Sequence, residues 1–157
     1  MNNWLGINYG FLGAPLACAI LPFMLYIPNM YVEDYGLSLF YVGMILLIAR
    51  IVDVITDPLV GFISDKFIWH NMRRKPWVLV GAILTSVSII KVLSPNTESI
   101  SYIYFATWVF LLYLGWTLIQ IPYRALGSDI AKDYNEKTFL FSYTEAFAVI
   151  GTITAYN

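Results

Sequence analysis

Four apolar blocks about as long as a membrane-crossing helix, and the opening of a fifth, constrain this 157-residue chain more than any other feature. A bilayer's hydrocarbon core is about 30 Å thick, which takes about 20 helical residues at a rise of 1.5 Å each. Four blocks reach that length, at about 10–32, 39–63, 77–94 and 102–127, and a fifth opens near 140 and is still running at Asn157. No polar flank closes the fifth block, so residues 1–157 read as a truncated N-terminal piece. Composition agrees, since 12% of the residues are charged where a soluble domain carries about 25%. In lipid a helix satisfies its own backbone polar groups. The expected fold class is therefore all-α: a polytopic transmembrane helical bundle of four complete helices plus most of a fifth, with the lipid bilayer as its surroundings.

Charge outside the blocks is unevenly placed. Lys66, Arg73, Arg74 and Lys75 lie between the second and third spans, and Lys132 and Lys137 between the fourth and fifth. The loops VEDYGLS and SPNTESIS carry no basic residue, while Lys91 sits where it can snorkel to an interface. The positive-inside rule places the basic loops and the N-terminus in the cytoplasm, as in a bacterial inner membrane. No nucleic-acid partner is expected. MNNWLGINYG lacks the basic start of a signal peptide, so the first span is read as retained. Cys18 is alone, which excludes an internal disulfide and a cysteine metal cluster.

Smaller signals fit the same plan. Ser38 is placed to cap the second span. Tyr31, Tyr35, Tyr41, Trp69, Trp77 and Tyr102 fall near span ends, as an aromatic belt does. Gly10, Gly13, Ala14 and Ala17 form a small-residue face on the first span, which lets another helix approach closely.

Inside the second span the stretch RIVDVITDPLVGFISDK places charge in an apolar run. At 100° per residue, Arg50, Asp53, Asp57, Gly61 and Ser64 share an arc of roughly 80°. The two aspartates are one turn, or about 6 Å, apart along the axis. Each ionisable group at such depth costs roughly 2.5–3.5 kcal/mol, so the stripe must face protein or a watery cavity. Arg50 can neutralise one aspartate and lock two helices together, which leaves one carboxylate over. Two carboxylates a turn apart can equally bind a monovalent cation or a proton. Pro58 frees a backbone carbonyl that can assist.

The fourth span has its own polar stripe. Tyr113, Trp116, Thr117, Gln120 and Arg124 occupy an arc of about 100°. Aromatic, amide and hydroxyl groups on one face suit a polar organic solute, or else simple interhelical hydrogen bonding. Glu145 joins Ser142 and Thr152 on one side of the fifth span. His70 lies in a polar loop and reads as solvated.

RIVDVITDPLVGFISDK, RRKPW and IPYRALGSDIAKDYNEKTFLFSYTEAFAVIG together resemble the glycoside–pentoside–hexuronide:cation symporters, the melibiose-carrier branch of the major facilitator superfamily. The resemblance begins at LPFMLYIPNMYVEDYGLSL and covers nearly the whole chain. It implies two six-helix halves, of which this chain holds most of the first, with alternating access around a central site. It also implies solute uptake coupled to Na⁺, H⁺ or Li⁺, with no other cofactor and no metal beyond that coupling ion. By position, Asp53, Asp57 and Thr117 match the family's cation site, and Thr56 stands where melibiose carriers have Asn. The galactoside grip departs from the pattern. Leu16 and Ala17 replace a Lys-Asp pair, Gln120 an Asp, Arg124 a Trp and Glu145 an Arg. Met72 replaces a loop glycine. Asp65 with Arg73 or Arg74 corresponds to the charge relay that latches one state, and Asp129 is a further candidate for it.

The sequence is thus read as a cation-coupled secondary transporter of a sugar, glycoside or similar small polar solute. Trp116, Gln120, Arg124, Tyr113 and Glu145 are the expected solute residues. The partners are that solute, the monovalent cation and the absent C-terminal six-helix half. A lipid or lysolipid transporter of the same fold is the alternative. No enzyme is expected, since aspartyl proteases of the membrane carry their two aspartates on different helices.

Overall fold

The computed structural model describes residues 3–11, 13–66, 74–95, 100–131 and 133–156, and among them every regular element is an α-helix. These are α1 (Asn3–Gly10), α2 (Gly13–Glu33), α3 (Leu39–Lys66), α4 (Lys75–Leu93), α5 (Tyr102–Ile130) and α6 (Tyr134–Tyr156). Four stretches are long and apolar enough to cross a membrane: Gly6–Glu33, Leu39–Lys66, Lys75–Leu93 and Tyr102–Ile130. The last helix, α6, has the length but carries Glu136, Lys137 and Glu145. Helices α3 and α5 run past the apolar blocks into polar residues, because the backbone ladder needs no apolar side chains to continue.

Where α1 and α2 adjoin, Phe11 N–H bonds the Ile7 carbonyl at 2.9 Å and Ala14 N–H bonds the Phe11 carbonyl at 3.3 Å.

Two compact units divide the described chain, and α2 and α5 each contribute to both. In the unit of Met1–Ile27 and Ala125–Asn157, the small-residue face of the first span packs on α6. A methyl added at Gly10 would lie 2.9 Å from the Tyr143 backbone carbonyl carbon. One at Gly13 would meet the Thr144 carbonyl, and one at Gly151 the Ala14 carbonyl. The backbones therefore touch, as small residues permit. Rings close the rest, with Tyr9 edge-on to Phe141 and Phe11 edge-on to Phe147.

The unit of Pro28–Arg124 contains α3, α4 and most of α5. Tyrosines gather its helix ends. The buried Tyr31 hydroxyl donates to the Val92 carbonyl at 3.1 Å, and Tyr104 donates to the Lys91 carbonyl at 2.8 Å, so two orphan carbonyls at the end of α4 are satisfied. Tyr31 also lies 4.4 Å, ring to ring, from Phe105. Ser38 stands at the start of α3 and its carbonyl accepts from Val42, while its N–H donates to the Tyr102 hydroxyl.

The apolar surface of α3 faces away from these contacts. Ile51, Val54, Ile55, Leu59 and Phe62 are all more than half exposed, whereas Val42, Ala49, Val60 and Ser64 are buried. A continuous exposed face of this kind is what lipid covers in an integral membrane protein. The Arg50–Asp53–Asp57 stripe lies next to the buried face, on the protein side of the helix.

Candidate functional site

The polar stripes of α3 and α5 meet within the Pro28–Arg124 unit. Thr117 Oγ1 donates a 2.9 Å hydrogen bond to Asp57 Oδ1. Thr117 is 4% exposed and Asp57 is half-buried. A hydroxyl bonded to a carboxylate inside a helix pair offsets part of the cost of burying that charge.

Asp53, one turn earlier, has a different partner. Arg50 Nη1 lies 3.6 Å from Asp53 Oδ2, an ion pair within α3. The same guanidinium sits 4.6 Å from the centre of the Tyr113 ring, a cation–π contact from α3 to α5. Of the two pairings left open by sequence, the arginine takes Asp53. Asp57 is left to Thr117, so the two carboxylates stand in unlike environments.

Thr56 is half-buried and its hydroxyl donates to the Asp53 carbonyl at 3.4 Å, within its own helix. Its oxygen therefore lies close to the Asp53 backbone. Ser64 likewise bonds back to the Gly61 carbonyl at 3.0 Å.

Along α5 the expected solute residues separate. Tyr113 is buried beneath Arg50, so its ring serves that contact. Trp116 and Gln120 are half-buried and Arg124 is exposed, all on the face that carries Thr117. Glu145 is exposed on α6, in the other unit, and Leu16 and Ala17 are half-buried on α2 in that same unit.

A second ionic contact joins the end of α3 to the start of α4. Arg74 donates to Asp65 Oδ1 from Nη2 at 2.7 Å and from Nε at 3.1 Å. Arg74 stands at the N-cap position of α4 and Asp65 one residue before the end of α3. Of the relay residues named from sequence, the structure brings these two together. Arg73 and His70 lie outside the described residues, and the exposed Asp129 belongs to the other unit.

Two features of the site were not read from sequence. Tyr113 as a platform for Arg50 has no local signature, since the residues lie on different helices. The close contact of α4 with α5 at Gly81 and Gly115 did leave one: Gly81, Thr85 and Ser88 repeat as small residues on one side of α4.

The family model described as MFS/sugar transport protein matches residues 6–156. The inner membrane symporter YicJ of Escherichia coli is 35% identical over 132 residues, covering 82% of this chain and 28% of that protein. The uncharacterized symporter sll1374 of Synechocystis is 30% identical over 157 residues, covering 95% of this chain and 28% of its own. The sodium-dependent lysophosphatidylcholine symporter 1 of Xenopus tropicalis is 32% identical over 120 residues, covering 73% of this chain and 22% of its own. The chain thus spans less than a third of the length of each of these relatives.

Proposed function

Since this chain belongs to the MFS/sugar transport protein family, within the glycoside–cation symporter-like branch of the major facilitator superfamily, we propose that it forms the first helices of a cation-coupled symporter for a sugar, glycoside or similar small polar solute. The Thr117–Asp57 hydrogen bond carries this reading. It joins two helices through a carboxylate and a hydroxyl, oxygen ligands of the kind a hard monovalent cation or a proton takes, with a second carboxylate one turn away. The relatives named above are symporters rather than enzymes. Alternating access would need the remainder of the carrier to complete the cavity. Trp116, Gln120 and Arg124, which share the face of Thr117, supply stacking, amide and guanidinium groups to the solute. Basic residues 66–75 and the N-terminus face the cytoplasm of an inner membrane, with the Asp65–Arg74 pair as the latch at that end.

The test is uptake by the full-length protein with and without Na⁺ and with a protonophore. Collapse with the protonophore alone identifies proton coupling, and dependence on Na⁺ identifies sodium. Asp57→Asn should abolish cation-driven accumulation; retained accumulation overturns the assignment.

A lysolipid solute is the second reading, favoured by one observation. Arg124 is an exposed guanidinium on the solute face of α5, where melibiose carriers have an aromatic ring, and it suits a phosphate. Competition between a glycoside series and lysophospholipids for uptake separates the two.

A further inference from the structure

Helix α5 is held from opposite sides, and the side away from the carboxylates has no slack. At 100° per residue, Gly115 points roughly 160° away from both Tyr113 and Thr117. A methyl on Gly115 would lie 2.5 Å from Thr85 Oγ1 and 2.9 Å from the Thr85 backbone nitrogen. One on Gly81 would lie 2.8 Å from the Gly115 carbonyl oxygen and 2.9 Å from the Ile119 nitrogen. The obstructing atoms are largely backbone, so a side chain cannot simply turn aside. Helices α4 and α5 are in backbone contact here.

The opposite face of α5 carries the two contacts to α3, Thr117 with Asp57 at 2.9 Å and Tyr113 with Arg50 at 4.6 Å. We propose that the Gly81–Thr85–Gly115 contact is a positioning element of the cation site: it sets how far Thr117 reaches toward Asp57. This rests on the cation-coupling reading above. The hydroxyl–carboxylate bond is lost once its atoms separate to about 3.6 Å. A shift of α5 well under 1 Å therefore decides whether Thr117 serves Asp57. The Thr85 hydroxyl is buried and has no hydrogen-bond partner, so this position acts through volume and not through a bond. Gly61, on α3, supplies the contrast. A methyl there would lie 3.6 Å from Ile121 Cγ2, an ordinary contact.

The experiment measures the half-saturating cation concentration for solute uptake by the full-length carrier in proteoliposomes. Gly115→Ala, whose methyl group drives α5 off α4 and out of the geometry that aligns Thr117 with Asp57, should raise it roughly tenfold, the scale of losing an outer-shell support of a metal ligand. Gly61→Ala should leave it unchanged. Added to Thr117→Ala, Gly115→Ala should have no further effect on it. Thr85→Gly, which loosens the contact without a clash, should also raise it, and serves where Gly115→Ala does not accumulate. An unchanged value in Thr85→Gly, or an equal rise from Gly115→Ala with and without Thr117, overturns the proposal. Wild-type uptake indifferent to every cation would overturn the coupling reading instead. Loss of coupling in Asp57→Asn with no response in the α4–α5 variants would overturn the positioning role alone.

Discussion

Thr117 on α5 donates its hydroxyl to Asp57 on α3 across 60 residues of sequence, at 2.9 Å. A hydrogen bond to a charged group contributes about 1.5–3 kcal/mol. Thr117→Ala in the full-length carrier should therefore weaken apparent cation affinity by about tenfold or more, measured as cation dependence of uptake. Thr117→Ser keeps the hydroxyl and should retain most of that affinity. Equal loss in both variants would show that the methyl group, not the hydroxyl, is what matters.

Arg50 is held by a carboxylate on its own helix and a ring on α5. Arg50→Gln leaves Asp53 without its cation and should impair cation-driven uptake. Arg50→Lys restores charge but not the flat stacking surface, and should recover only part of it. Tyr113→Phe preserves the ring and removes only the hydroxyl that hydrogen-bonds the Arg50 side chain, so it should cost part of the uptake, while Tyr113→Leu should also forfeit about 0.5–2 kcal/mol of cation–π stabilisation. Uptake by this series ranks charge against stacking; a Tyr113→Phe as defective as Tyr113→Leu would assign the role to the phenol hydroxyl.

Tyr31 is fully buried and its hydroxyl satisfies the Val92 carbonyl. Tyr31→Phe keeps the ring against Phe105 and removes only that donor. The expected cost is about 1–3 kcal/mol for an acceptor left unsatisfied, read as a lower melting temperature of the purified carrier in detergent. Tyr104→Phe, at a more exposed bond, should cost less.

The Asp65–Arg74 pair joins two helix ends, and Asp65 is 57% exposed. A double-mutant cycle with Asp65→Asn and Arg74→Gln should show a stability coupling of only about 0.2–1 kcal/mol, screened by salt. Any larger effect should then fall on the balance of inward- and outward-facing states, seen by labelling of cavity cysteines. Unaltered labelling in both single variants would remove the latch.

The helical class, four stretches long and apolar enough to cross a membrane, and the two polar stripes were legible along the chain. Lipid demands about 20 apolar residues per crossing, and a 3.6-residue period groups Arg50 with Asp57, or Thr117 with Gln120, whatever surrounds them. The close approach to Gly10, Gly13 and Ala14 was legible for the same reason, since only small residues permit it. The pairing of charges was not. Arg50 is within reach of both aspartates by helical geometry alone, and what assigns it to Asp53 is the position of α5, which brings Tyr113 beneath the guanidinium and Thr117 to Asp57. Periodicity acts within one helix, whereas a partner on another helix is set by packing, here by an α4–α5 contact with no room for a methyl group.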